Sequence, residues 1–171
     1  MRNFIWLLLL LTMPLVSACY HMRVEAEPIA PRIITVPGKA QDAVHKIRTL
    51  VEDEWKCRIL ETNSNGTILI TAPYQFYTDT SFGMPAGGRK YYTQLRIEVQ
   101  QLDGTVTVSV SHYNFEIRTS YAYNDYSKGG VGTMYKHYPY EEYPGMFDLA
   151  LINNEMDRVS NDIHRLFQEY R

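Results

Sequence analysis

Between Lys39 and Lys56 the apolar residues Ala40, Ala43, Val44, Ile47, Leu50, Val51 and Trp55 fall three or four apart, with charges on the opposite side. That spacing predicts an amphipathic helix with one buried stripe. The same signature returns at the end of the chain. Leu149, Ile152, Met156, Val159, Ile163, Leu166 and Tyr170 repeat at alternating three- and four-residue intervals. Asp148 stands where an N-cap belongs, and Phe147 ahead of it is placed to staple onto Ile152. The stripe suits a helix laid on a sheet, with a coiled-coil seam as the alternative.

The middle of the chain changes to a period of two. Arg32 to Val36 is a short β-branched run closed by Pro37-Gly38, read as a first strand. Cys57 to Thr62 and Thr67 to Ala72 flank Asn63-Ser64-Asn65-Gly66, a hairpin signal because Asn and Gly tolerate positive φ. Its register is open, since loops of two, three or four residues all pair the apolar side chains acceptably. Asp103-Gly104 separates two longer alternating runs, Tyr91 to Gln101 and Thr105 to Thr119. A two-residue loop sets Val99 opposite Val108 and Ile97 opposite Val110. Beyond them the apolar set slips by one, from Val106, Val108 and Val110 to Tyr113, Phe115 and Ile117. A β-bulge near Ser111-His112 restores the pattern, with Tyr113 meeting Leu95 and Phe115 meeting Thr93; otherwise the strand ends at Ser111. The expected fold is α+β: an antiparallel sheet of about four to five strands, covered on one face by the two helices, in a single domain over 32–171.

The first nineteen residues follow neither period. Arg2 precedes an uncharged apolar stretch from Phe4 to Val16, and the small residues Ser17 and Ala18 stand just before Cys19. The apolar run is short of the ~20 residues a membrane-spanning helix needs. Val16-Ser17-Ala18-Cys19 resembles the signal of bacterial lipoproteins. The resemblance implies cleavage after residue 18, diacylglyceryl attachment to the Cys19 thiol and acylation of the new amine. Two or three acyl chains, at roughly 0.8 kcal/mol per buried methylene, give stable attachment to a membrane. Tyr20 in place of aspartate implies sorting to the outer membrane, facing the periplasm. Tyr20 to Pro31 carries no period and reads, with Cys19, as a tether over 19–31 spanning at most about 40 Å.

The order strand, helix, two hairpins and long terminal helix behind such a signal is similar to the helix-grip type of envelope lipoprotein domain. The residues that carry this likeness are Arg32 to Val36 running through Pro37 into the helix, Trp55 to Gly66, and the amphipathic finish from Asp148. The C component of the bacterial β-barrel assembly machine has this layout. The resemblance implies a non-enzymatic interaction or accessory subunit of an envelope assembly, with a protein partner there. The alternative is a carrier holding a lipid or other hydrophobic ligand between sheet and helix.

Composition narrows the chemistry. Removal of the signal leaves about 150 residues, enough for one buried core. A formal charge of −2, one unit more negative without Arg2, offers no footprint for nucleic acid and no polybasic patch for acidic lipids. With Cys19 acylated, Cys57 is the remaining thiol, which excludes an intramolecular disulfide and fits an inert buried cysteine. Histidines 21, 45, 112, 137 and 164 have no ligand spacing, and no catalytic elbow, phosphate loop or dinucleotide fingerprint occurs. Neither an enzyme nor a cofactor is expected. Tyrosine is the anomaly: residues 113, 121, 123, 126, 135, 138, 140 and 143 crowd one stretch. A tyrosine-rich insertion at about 120–146 has the composition of a recognition loop. Its expected partner-binding residues are Tyr121, Tyr123, Tyr126, Tyr135, Tyr138, Tyr140 and Tyr143, with Phe76, Tyr77, Phe82, Tyr91 and Tyr92 able to extend the surface. The competing expectation, of equal weight, is that the segment continues the hairpin and turns at Lys128 to Gly132, half of its rings packing the sheet.

Overall fold

Two long strands organise the molecule. In the computed structural model, which describes residues 25–80, 88–125, 127 and 129–168 and the backbone alone for 122–125, β5 (Arg89–Leu102) and β6 (Thr105–Asp125) form a hairpin. The signal segment, Cys19, Phe82, Tyr126 and Tyr170 lie outside the described residues. Asp103 and Gly104 turn the hairpin with φ of 44° and 81°, the left-handed pair that a tight two-residue turn requires. Val99 faces Val108 and Ile97 faces Val110, as the alternation predicts.

Each long strand is flanked by two shorter ones placed end to end. Alongside β6, β1 (Arg32–Pro37) pairs with the half nearest the turn, and β7 (Gly130–Pro139) pairs with the far half. Alongside β5, β3 (Ile68–Thr71) pairs with Arg96 to Glu98 and β4 (Tyr74–Asp79) with Arg89 to Thr93. Outermost, β2 (Ile59–Thr62) pairs with β3, with a bulge between Ile59 and Glu61. The α+β antiparallel architecture is as expected, but among the described residues the sheet has seven strands, not four or five. The additions are β4 and β7. Pro73 cannot donate to a ladder, so the chain breaks between β3 and β4 and resumes on the same neighbour. At that break the buried Thr71 hydroxyl accepts the Leu95 N–H at 3.0 Å, satisfying the amide.

Both helices cover one face. The first, α1 (Ala40–Thr49), continues into a wider π turn over Leu50–Glu54, where Trp55 N–H reaches Leu50 O at 3.0 Å. Lys56 then adopts φ 52° and Cys57 N–H returns to Val51 O at 2.9 Å, closing the helix with a left-handed residue that is not glycine. The second, α2 (Leu149–Gln168), begins where Asp148 Oδ1 accepts the Ala150 N–H at 2.8 Å. Helix α2 lies on β1 and β6, and α1 on β5. Between them and the sheet, Ile47, Val51, Leu95, Ile97, Val110, Phe115, Ile152, Met156 and Ile163 are fully buried. Each such side chain contributes roughly 1.5–3 kcal/mol by leaving water.

The bulge exists, one residue later than the slip in polarity implies. Gln94 pairs with Asn114 and Leu95 with His112, leaving Tyr113 as the extra residue, 57 % exposed. His112 takes the inward place and stacks on Phe115 at 5.2 Å. Phe115 meets Thr93 as expected; Tyr113 does not meet Leu95.

A polar network ties α2 to the rest. Tyr74 donates its hydroxyl to Glu155 Oε1 at 2.6 Å, and Arg158 holds the same carboxylate through Nε to Oε2 at 2.8 Å and Nη2 to Oε1 at 2.7 Å. Arg158 also reaches Asp162 Oδ2 at 2.8 Å, which accepts the Trp55 indole N–H at 3.2 Å. Glu155 is buried, so these bonds answer a charge that would otherwise be costly. On the other side, Arg32 pairs with Asp157 at 2.6 Å and pins β1 to α2.

The segment expected to be tether is packed for part of its length. Ala26 and Ile29 rest against the core, and Glu27 O accepts the Tyr140 hydroxyl at 3.0 Å.

Candidate functional site

Beyond Arg118, β6 has outrun β5 and continues with β7 alone, from Thr119 paired with Lys136 to Asp125 paired with Gly130. The tyrosine-rich stretch is therefore a two-stranded arm, not an irregular loop. Seven paired positions at roughly 3.3 Å each make it about 20 Å long. The continuation of the hairpin is the reading that holds, with the chain reversing after Asp125 and starting back at Gly130.

Alternation divides the tyrosines between two faces. On the helix side, Tyr121 stands opposite Met134, and Tyr138 opposite Ile117. Tyr121 and Tyr138 share a side-chain hydrogen bond, and partial burial together with that bond raises the Tyr138 phenol above its ordinary value. The Tyr143 ring meets Tyr138 edge-on at 5.2 Å, and Lys136 Nζ lies 5.4 Å from the centre of the Tyr121 ring. Tyr121, Tyr138 and Tyr143 thus form one cluster with a cation above it. Aromatic pairs of this geometry contribute about 0.5–1.5 kcal/mol each beyond their burial. The cluster holds the arm's root in shape.

On the outer face, Tyr135 is 74 % exposed. It borders a hollow of about 260 Å³ lined by Lys90, Tyr92, Arg118, Ser120, Tyr135 and His137 among others. Arg118 lies 4.1 Å above the Tyr92 ring and donates from Nε to Glu116 Oε1 at 2.6 Å, with Nη2 on the same oxygen. His137 Nδ1 stands 3.4 Å from Glu116 Oε2. One carboxylate beneath thus orients two basic side chains, and Tyr92 OH is itself held by Gln75 Oε1 at 3.3 Å. The floor of the hollow is fixed, while its rim, Tyr135, is free of the core.

Of the seven tyrosines expected to bind a partner, four form this region: Tyr121, Tyr135, Tyr138 and Tyr143. Tyr140 is a correction. It is 3 % exposed, its amide bonds Phe115 O at 2.9 Å, and its ring packs on Phe147 at 5.2 Å, so it belongs to the core. Tyr123 is placed by its backbone alone, opposite Gly132, and Tyr126 lies outside the described residues. Phe76 and Tyr91 also turn inward, ring to ring at 6.2 Å, while Tyr77 is exposed. The basic residues Lys90, Arg118 and His137 were missed as a group by sequence reasoning. Lys90 and Tyr92 share a strand face, as do Glu116 and Arg118, but only the pairing of three strands brings them together.

Other chemistry is sparse. Among the described residues, no group of three or more His, Cys, Asp or Glu could hold a metal ion, and no helix is long and apolar enough to cross a membrane. Cys57 is buried, with Sγ donating to Ala72 O at 3.3 Å, and burial raises its thiol pKa. The molecule is thus an α+β sheet-and-helix domain carrying a tyrosine arm. No protein-family model matches the chain, and no curated protein matches it.

Proposed function

We propose that this protein is a lipid-anchored, non-enzymatic subunit of a cell-envelope assembly, held at the outer membrane through Cys19 and docking a protein partner on the helix-side face of its arm. One observation carries the docking part: β6 and β7 continue past the end of β5, with Met134 and Tyr143 exposed beside the Tyr121–Tyr138 cluster. Exposed aromatic and methionine side chains on a rigid support have the composition of an interface core. The anchoring part rests on Val16-Ser17-Ala18-Cys19. Fully buried Phe115, Met156 and Ile163 fill the space between sheet and helices, which favours docking over carriage of an enclosed hydrophobic ligand.

The test has two readouts. Radiolabelled palmitate is expected to enter the parent chain and not Cys19→Ala, which accumulates unprocessed; equal labelling of both removes the anchor. A photo-crosslinking residue at Met134 or Tyr143 is expected to capture one envelope protein in cells that the same probe at Glu52, in the π turn after α1, does not. Identical products at all three positions, or none, would remove the docking face.

A further inference from the structure

The outer face of the arm is of different chemistry from the helix-side face. From Ile117 to Asn124 on β6 and from Gly130 to Pro139 on β7 there is no acidic residue. The strand pairing places Val131, Thr133, Tyr135 and His137 of β7 on one face with Arg118 and Ser120 of β6. Val131 and Tyr135 are 72 % and 74 % exposed. Beside them lies the hollow lined by Lys90, Arg118 and His137. Glu116 pairs with Arg118 and stands 3.4 Å from His137 Nδ1. Among the described residues no carboxylate stands within 4.0 Å of the Lys90 ammonium. The face therefore runs from apolar and aromatic toward its tip to basic at its root, a local cluster that the overall charge of −2 does not disclose.

The course of the N-terminal segment bounds how far the arm can lie from Cys19. Strand β1 is antiparallel to β6, so tracing the chain backward from Arg32 leads toward the arm. Glu27 confirms the direction by its contact with Tyr140, the residue after β7. Six peptide steps separate Cys19 from Glu25, at most about 21 Å. This is about the length of the arm.

We infer that the outer face of the arm lies on the phospholipid headgroups, with Tyr135 and Val131 at the interface and Lys90 and Arg118 at the lipid phosphates. The inference rests on the Cys19 anchor. Tyrosine is enriched at the membrane–water interface because its ring and hydroxyl suit opposite sides of that boundary. A cation near a negative membrane surface contributes about 1 kcal/mol, roughly fivefold in occupancy. A bilayer is also the one partner whose distance from the arm is bounded by the chain itself. Docking on it leaves the Tyr121–Tyr138–Tyr143 face free for protein.

The natural lipidated protein, reconstituted in vesicles of phosphatidylcholine and phosphatidylglycerol, tests this. Tyr135→Trp is compared with the parent, whose Trp55 serves as the internal reference, using lipids with and without brominated chains. Flotation with the vesicles reports the anchor; quenching of the added indole reports the arm. The expected result is flotation of both proteins, quenching of the added indole beyond that of Trp55, and a roughly fivefold lower docked-to-free ratio when Lys90→Gln is added. Flotation without extra quenching overturns the inference and leaves the anchor standing. Loss of flotation overturns the anchor and the inference with it. Quenching unchanged by Lys90→Gln removes the assignment of Lys90 to the phosphates.

Discussion

Tyr74 and Glu155 offer the most direct test of how the terminal helix is held. The Tyr74 hydroxyl and two Arg158 nitrogens converge on one buried carboxylate. A hydrogen bond to a charged group contributes about 1.5–3 kcal/mol, and Tyr74→Phe leaves the carboxylate its two guanidinium bonds, so a loss of about 1.5 kcal/mol is expected. Glu155→Ala removes the charge and strands the Tyr74 hydroxyl, while Arg158 keeps Asp162 at 2.8 Å. Breaking a buried pair costs about 3–5 kcal/mol, and the retained Asp162 contact places this one near 3. The double variant should lose no more than Glu155→Ala alone, giving a coupling of about 1.5 kcal/mol. Urea unfolding followed by Trp55 fluorescence and far-ultraviolet circular dichroism measures all four proteins. Burial, then the Glu155 charge, raises the Tyr74 phenol far above the ordinary tyrosine value of 10.0. The unfolded chain therefore gives up that proton first as pH rises, and the parent should lose stability above pH 10 more steeply than Tyr74→Phe. Additive losses, with coupling below about 0.3 kcal/mol, would refute the shared-carboxylate account.

Three further outcomes are expected. Phe115→Ala, beneath Phe76 at 5.9 Å and His112 at 5.2 Å, should cost about 3–5 kcal/mol in denaturant unfolding; a loss under about 1 would mean the site collapses freely. Burial lowers the His112 pKa from 6.5, with Glu141 opposing, so the unfolded chain protonates first and stability falls as pH drops below about 6.5. Unfolding midpoints at pH 7.5 and 5.5 should therefore converge in His112→Phe, and an undiminished slope would assign the effect elsewhere. The Cys57 thiol, buried and raised in pKa, should react with a thiol reagent only at the rate of unfolding; rapid labelling of the folded protein would contradict its placement.

Local signals were legible where they did not depend on distant partners. Asp148, Asp103-Gly104 and the stripe from Leu149 each state their structure within a few residues, and all three are found. The bulge was legible as a slip in polarity, but the choice between His112 and Tyr113 is made by Phe115, on which the imidazole stacks. Strand β4 was missed because Tyr74 to Asp79 has its partner across the 80–88 stretch and follows a proline. The arm was half read: Tyr121-Ala122-Tyr123 alternates, yet glycines at 129, 130 and 132 resemble a loop until the pairing with β6 is seen. Tyr140 has the same local composition as its neighbours, and its burial depends on Glu27 and Phe147. The basic hollow needed three strands in register, information that no single segment carries.

The alignment of β1 with β6 decides how the domain takes a mechanical load. A tug on its N-terminus toward the arm runs along the β1 axis, and the ladder bonds from Arg32–Val110 to Pro37–Thr105 lie across that pull. They must slide together in shear rather than unzip in turn, and the Arg32–Asp157 pair guards the first rung. A protein leashed at that end is strongest along the line on which its leash would drag it.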